Sequence, residues 1–223
     1  MNIAIIVPML NEQAHLAGLL EHLRSLKRQG AEVLLVDGGS QDGSAALAQC
    51  AGFTVLSAAR GRASQMNTGA RATTAEVLLF LHADTCLPAN ALARIQSSLA
   101  GGPAWGHFKV RIKGRSRMLP VVAALMNWRS RLTGIVTGDQ AIFILRAAFE
   151  AVGGFPEQPL MEDIELSRRL RGFGRPVCIA SHAMTSGRRW DTGGVWHTIG
   201  LMWWLRLAYW WGTPADQLAQ RYR

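Results

Sequence analysis

Apolar positions in the first third of the chain fall into short runs separated by stretches of helical periodicity. Ile3–Val7 is continuously apolar up to Pro8, and Leu16, Leu19, Leu20 and Leu23 then recur at helical spacing as far as Gly30. Strand followed by helix is the prediction. Val33–Val36 is a second run, closed by Asp37-Gly-Gly-Ser40. A helix over Ala45–Ala51 leads to a third run, Phe53–Leu56, and a fourth, Val77–Leu81, ends in His82-Ala-Asp84. Uninterrupted apolar strands alternating with helices predict an α/β fold whose central sheet is mostly parallel and covered by helices on both faces. Such sheets bind ligands at the carboxyl ends of their strands, where Asn11-Glu12, Asp37–Asp42 and His82–Asp84 all fall.

The second half has a different texture. Trp105–Lys113 reads as a strand with one basic, wet side, and Met118–Trp128 as an apolar helix. Ala141–Leu145 and Pro176–Ala180 are further strand candidates, and Glu162–Arg171 is a helix with Ile164, Leu166 and Leu170 turned partly inward. Val195–Trp211 holds five tryptophans before Gly212-Thr-Pro214 stops it. With no internal repeat or low-complexity linker, residues 1–190 read as one domain and 191–223 as a C-terminal amphipathic helical appendage.

Composition sharpens this picture. Of 223 residues, 49% are hydrophobic and 17% charged, so the chain can bury a sizeable core and intrinsic disorder is excluded. The net charge of +9 is localised: residues 1–100 carry seven basic and seven acidic side chains, the remainder seventeen and eight. That field attracts phosphate, whether of nucleic acid, anionic lipid or a nucleotide leaving group. Cys50, Cys86 and Cys178 are far apart and odd in number, which indicates neither a disulfide framework nor a zinc module and points to a reducing cytosol. The N-terminus lacks signal-peptide features, and the longest apolar window is interrupted by His197 and Arg206, so no bilayer span is expected. The expected location is cytoplasmic, with peripheral attachment to the inner membrane face left open.

Candidate chemistry sits at the strand ends. Asp37 precedes two glycines, where backbone can approach a ligand closely, although an Asp-Gly pair serves equally as a turn. Asn11-Glu12 admits a ligand role or a helix cap. His82 and Asp84 stand at i and i+2, on one side of an extended segment, and can reach one divalent ion; mixed imidazole and carboxylate donors suit Mn²⁺ better than Mg²⁺. Gly61-Arg62-Ala-Ser-Gln65-Met-Asn67-Thr-Gly69 opens a helix with free N–H groups, a guanidinium and amides, a combination that favours phosphate or ribose. Neither G-x-G-x-x-G nor G-x-x-x-x-G-K-[ST] occurs in the first half, which argues against a dinucleotide oxidoreductase or a nucleoside triphosphatase. Glu162, Asp163 and Glu165 begin a helix after Gly153-Gly154-Phe155-Pro156, and Arg188-Arg189-Trp190 offers paired guanidiniums beside an aromatic plane.

Taken in order, Val7-Pro8-Met-Leu-Asn11-Glu12, Val36-Asp37-Gly-Gly-Ser40-Gln-Asp42-Gly43, Leu81-His82-Ala-Asp84, Gly153-Gly-Phe-Pro156 with Met161-Glu162-Asp163, and Arg188-Arg189-Trp190 resemble a family 2 glycosyltransferase of the GT-A fold over about residues 3–190. Arg129-Ser-Arg-Leu-Thr-Gly134, Gly138-Asp139-Gln140 and Pro159-Leu-Met-Glu-Asp163 further resemble a bacterial subgroup described as radical-SAM-associated and linked to arsenosugar biosynthesis. The resemblance implies inverting transfer of a sugar from a nucleoside diphosphate donor, a UDP-sugar being favoured, to a small-molecule or lipid-linked acceptor. By motif, Pro8, Asn11, Glu12 and Asp37 would hold the nucleoside, Arg62 and Asn67 would border the diphosphate, and Asp163 would be the general base. Asp139 and Gln140 would lie near the acceptor, and Asp84 would bind Mn²⁺ or Mg²⁺. Many family members carry Asp-x-Asp at the metal site. Here His82 replaces the first Asp, so Arg188 and Arg189 would carry more of the charge neutralisation, with His182 as a further candidate ligand.

A second class of function also fits the charge and the tryptophans: a non-catalytic protein of the membrane surface or of nucleic acid. Acid-bearing strand ends repel nucleic-acid phosphate unless a cation intervenes, so nucleic acid is not an expected partner. The tryptophan-rich tail can alternatively form a homodimer interface.

Overall fold

The computed structural model describes residues 1–222. The first half alternates as its pattern predicts: β1 (Ile3–Met9), α1 (Gln13–Arg28), β2 (Glu32–Asp37), α2 (Ser44–Cys50), β3 (Thr54–Ser57), α3 (Arg62–Arg71) and β4 (Val77–Phe80). The second half comprises β5 (Thr85–Cys86), α4 (Ala91–Leu99), β6 (Trp105–Lys113), α5 (Leu119–Thr133), β7 (Ile142–Leu145), α6 (Arg146–Ala151), α7 (Glu162–Leu170), β8 (Val177–Ser186), α8 (Arg188–Gly193), α9 (Val195–Trp210) and α10 (Ala215–Tyr222). One sheet runs in the order β3-β2-β1-β4-β7-β6-β8-β5.

Both faces of β1 are buried, which explains its unbroken apolar run. Ile3, Ile5, Val7 and Met9 pack with the inner faces of α1 and α4, while Ala4 and Ile6 face α3, α6 and α7. Close approach on the second face depends on Gly69, where a Cβ would collide with the Ile6 side chain.

Strands β3, β2, β1 and β4 are parallel, as expected, but β7 joins β4 antiparallel, so the other half of the sheet is mixed. β6 is antiparallel to β7, and β8 is parallel to β6. The consequence is positional. An antiparallel β7 begins at the edge where β4 ends, which carries the 3-10 turn Gly138–Gln140 to the carboxyl edge beside His82. β8 delivers Ser186, and α8 behind it, to the same edge, where the Ser186 N–H donates to the Asp84 carbonyl.

The residue 190 boundary falls inside α8, and the tail is built of α9 and α10 beyond it. α9 is apolar on both sides: Leu205 and Ala208 are buried, while Trp196, Trp203, Trp210 and Trp211 are exposed. No helix among the described residues is long and apolar enough to cross a membrane.

Because Gly69 lies where α3 meets β1 and β2, overpacking there should be felt through the sheet. Gly69→Ala is expected to lower unfolding free energy by about 1–3 kcal/mol, measured by urea denaturation. Gly18→Ala, on open surface of α1, should instead leave stability unchanged or slightly raised.

Candidate active site

The loops after β1 and β2 are locked together. Asp37 accepts hydrogen bonds from the Gly39 and Ser40 N–H groups and from the Ser40 hydroxyl. Asn11, at φ 53°, accepts from the Gln41 N–H, and its own N–H donates to Ser40 Oγ. Asp37 thus holds its own turn, and Asn11 ties that turn to β1. Gln65, whose amide the sequence groups with phosphate or ribose recognition, is a brace here: its Nε2 donates to the Met9 and Val36 carbonyls at 2.8 and 2.7 Å, joining α3 to both strand ends.

Beside this frame lies a cavity of about 330 Å³ lined by Pro8, Glu12, Arg62, Gln65, His82 and Asp84. Three separately identified motifs therefore meet in one place. Arg188 donates to Glu12 across 3.2 Å, which brings α8 to the same rim. Arg189 donates to the Tyr222 carbonyl at 2.9 Å, and its guanidinium lies 3.5 Å from the centre of the Tyr222 ring.

His82, Asp84 and Asp139 each offer a ligand atom, all within 4.8 Å of one another. His82 Nδ1 lies 3.3 Å from Asp139 Oδ1. The donor set of one imidazole and two carboxylates fits a divalent cation, and it replaces the missing Asp of an Asp-x-Asp pair with a carboxylate from the turn before β7. Asp139, expected beside the acceptor, is thus part of the cluster, and the signal that singled it out was its place between Gly138 and Gln140. Gly138 matters because a Cβ there would overlap the His82 ring. Burial opposes the Asp139 charge, but the His82 hydrogen bond and the charges of His82, Arg62 and Arg189 outweigh it and hold the carboxyl below its ordinary range. His182 lies apart, exposed on β8 near Lys109 and Arg111.

Asp163 faces this cluster from the start of α7. Its Oδ2 accepts the Gly138 N–H at 2.9 Å and its Oδ1 the Ile164 N–H at 2.8 Å, which fixes the carboxylate against the turn that carries Asp139. Glu165, buried like Glu162, instead accepts from Arg168 and Arg169 of its own helix, so the acidic triplet divides into two residues of the site and one paired within α7. Arg62 stays firmly protonated: desolvation opposes its charge, yet Glu162, with Asp139 and Asp163, raises its pKa.

Two candidates are placed differently from the expectation. Asn67 donates to the Phe155 carbonyl and accepts the Phe155 N–H, so its amide holds the Gly153–Pro156 loop rather than reaching the cavity. Gln140 is wholly buried, donates to Ser130 Oγ and accepts the Thr137 N–H, which makes it the internal clamp of the turn. An amide that satisfies a backbone reads the same in sequence as one that meets a ligand. Arg129 was not singled out individually; its Nε and Nη2 are fully buried and have no hydrogen-bond partner among the described residues. Burial pulls its pKa below the usual guanidinium value, and Asp163 and Asp139 partly offset this.

Fold and strand-end site together define an α/β protein of the GT-A type. Residues 4–150 match the model of glycosyl transferase family 2, and the chain belongs to that family. Among solved structures it is similar to residues 1–349 of TarS from S. aureus (17% identity, TM-score 0.67), covering 85% of this chain and 61% of that one. The mannosyltransferase PcManGT from Pyrobaculum calidifontis, in complex with GDP-Man and Mn²⁺, is similar at 23% identity and TM-score 0.64, over 82% of this chain and 56% of that one. Glucosyl-3-phosphoglycerate synthase from Mycobacterium tuberculosis, in complex with Mn²⁺, UDP and glucosyl-3-phosphoglycerate, gives 20% identity and TM-score 0.61, over 82% and 70% of the two chains. No curated protein sequence matches the chain.

Glu162 supplies a test of the electrostatics. Its carboxyl is pushed above the ordinary 4.5 first by burial and then by the Asp163 charge, with Arg62 opposing. The folded state therefore holds this proton more tightly than the unfolded chain, so the group's contribution to stability is lost as pH rises from the ordinary carboxylate range through the folded value. Glu162→Gln should raise the melting temperature relative to wild type at pH 8, and the difference should vanish below about pH 4.

Proposed function

We propose that the chain transfers a sugar from a nucleoside diphosphate sugar, a UDP-sugar being favoured, to an acceptor hydroxyl with inversion at the anomeric carbon. The observation that carries this reading is the meeting of the cavity lined by Pro8, Glu12 and Arg62 with the His82, Asp84 and Asp139 cluster, beside Asp163. UDP, UDP-GlcNAc and GDP-Man bound to structures of the same fold support the donor class. The narrower likeness to the arsenosugar-linked subgroup belongs to the same reading.

In this mechanism Arg62, Arg188 and Arg189 gather the negative charge of the diphosphate, and the locked loops after β1 and β2 border the nucleoside. A divalent cation bound by His82, Asp84 and Asp139 would supply Lewis-acid neutralisation of the leaving diphosphate. Asp163, held by two backbone N–H groups, takes the proton of the acceptor hydroxyl. The acceptor oxygen bonds to the anomeric carbon as the bond from that carbon to the diphosphate oxygen breaks, and the electron pair leaves with the diphosphate. One displacement inverts the carbon.

Calorimetry with Mn²⁺ and UDP tests the binding half: Asp139→Asn and Asp84→Asn should each weaken Mn²⁺ by tenfold or more, and unchanged affinity in both would refute the cluster. The chemical half is separable. Asp163→Asn should leave UDP affinity within about twofold while turnover falls roughly 10²–10⁴-fold, the usual contribution of a positioned base. Glu165→Gln, at a carboxylate paired with Arg168 and Arg169 of its own helix, should leave turnover near wild type, and a larger loss there than in Asp163→Asn would reassign the base.

A further inference from the structure

A second cavity, of about 210 Å³, opens beside the cluster and has a different character. Met126 of α5 and Ile199 and Met202 of α9 wall it, Asp139 and Arg129 also line it, and Trp128 and Trp203 carry its lining out to solvent. Those two tryptophans are 64% and 71% exposed, and exposed Leu125 and Leu132 on α5 and Trp210 on α9 extend the apolar surface. A groove that is apolar outside and reaches a carboxylate of the cluster has the polarity of an amphiphile.

Arg129 supplies the second observation. Its Nε and Nη2 are shut off from water and lack a partner among the described residues. Neighbouring carboxylates do not meet that need: Asp163 accepts from the Gly138 and Ile164 N–H groups, and Asp139 lies against His82. Guanidinium donors shut off from water without a partner are costly, and an anion against the half-buried Arg129 offsets that charge. Arg206 lines the same groove, and residues 101–223 hold seventeen basic against eight acidic side chains, so an anionic group is favoured there.

We propose that the acceptor is an anionic amphiphile, whose apolar chain lies in the groove between α5 and α9 and whose charged head group meets Arg129. This rests on the sugar-transfer reading and narrows it: a hydroxyl of the head group takes the place of the acceptor hydroxyl before Asp163. The cavity holds only the part of the chain next to the head. The remainder lies along Leu125, Trp128 and Trp203, where indoles suit the boundary between lipid and water.

The test uses the full chain and three probes at concentrations below micelle formation: dodecyl phosphate, dodecanol and ethyl phosphate, read by tryptophan fluorescence and calorimetry. Dodecyl phosphate should bind at least tenfold more tightly than either of the others. Met202→Asp should weaken it tenfold or more, and Arg129→Gln should remove the preference for phosphate over alcohol. Trp203→Asp, at a mostly exposed side chain, reads the same wall if Met202→Asp does not fold. Equal binding of dodecanol reveals apolar adsorption alone and overturns the proposal, as does equal binding of ethyl phosphate. A chain that sediments as a dimer and binds none of the probes overturns it in favour of a second copy on this face. UDP with Mn²⁺ is titrated into every variant. Loss of that binding in wild type would strike the sugar-transfer reading, whereas retained UDP binding without probe selectivity strikes only the acceptor class.

Discussion

Gly138 donates its backbone N–H to the Asp163 carboxylate at 2.9 Å, and the geometry of the site hangs on that bond. It joins two segments twenty-five residues apart: the turn that carries Asp139 and the first turn of α7. Ser167 repeats the link one turn further along α7, donating to the Val136 carbonyl and accepting the Val136 N–H. With α7 fixed to the turn, Asp163 cannot move without moving Asp139, and Asp139 in turn faces His82 of β4's carboxyl end. Asp163 and the His82, Asp84 and Asp139 cluster are thus held as one rigid unit, the arrangement that lets positioned charge act without reorganisation.

Holding that unit together requires unfavourable backbone. The non-glycine residues with positive φ among those described are Asn11, Ala141 and Met161, and all three border the site. Each such residue costs on the order of 1–3 kcal/mol and persists only where its surroundings over-determine it. Those surroundings are visible: Asn11 is bonded to Gln41 and Ser40, Ala141 follows the Gln140 clamp, and Met161 is buried against the tail. Charge shows the same economy. The charges of Glu162, Asp139 and Asp163 all act on Arg62, so carboxylates that would repel one another at the strand ends have a cation in their field.

The first half of the fold is legible in the sequence because doubly buried parallel strands leave no polar alternation, and Ile3–Val7 and Val77–Leu81 can be little else. The second half is harder for physical reasons. β8 extends to Ser186, beyond Ala180, because exposed His182 and Met184 alternate with buried Ala183 and Thr185 and dilute its apolar run. The direction of β7 is not encoded in its four apolar residues, and from that direction follows the meeting of His82 with Asp139, fifty-seven positions apart. Strand-end motifs such as Glu12, Arg62 and Asp84 are readable since topology alone delivers them to one edge. Asn67, Gln140 and Arg129 are not, because their roles depend on whether a backbone partner lies within reach, and that is decided by packing.

The tail is part of this machinery. Leu205, Ala208 and Leu218 from α9 and α10 form one cluster with Leu160 and Met161. Met161, at φ 65°, is the residue immediately before Glu162 and Asp163, so the apolar tail clamps the strained backbone that aims the acids. At its far end α10 reaches Arg189 through the Tyr222 carbonyl and ring. A guanidinium has five N–H donors, and contact with a ring face uses none of them, so Tyr222 orients Arg189 while leaving donors for an anion. Arg188 is oriented differently, by donating an N–H to the Glu12 carboxylate at the cavity rim. The two arginines are therefore set by elements that are separate in sequence, one at the start of the first helix and one in the last helix. A segment that reads in sequence as an appendage thus orients Arg189 at one end and packs against the backbone that leads into Asp163 at the other.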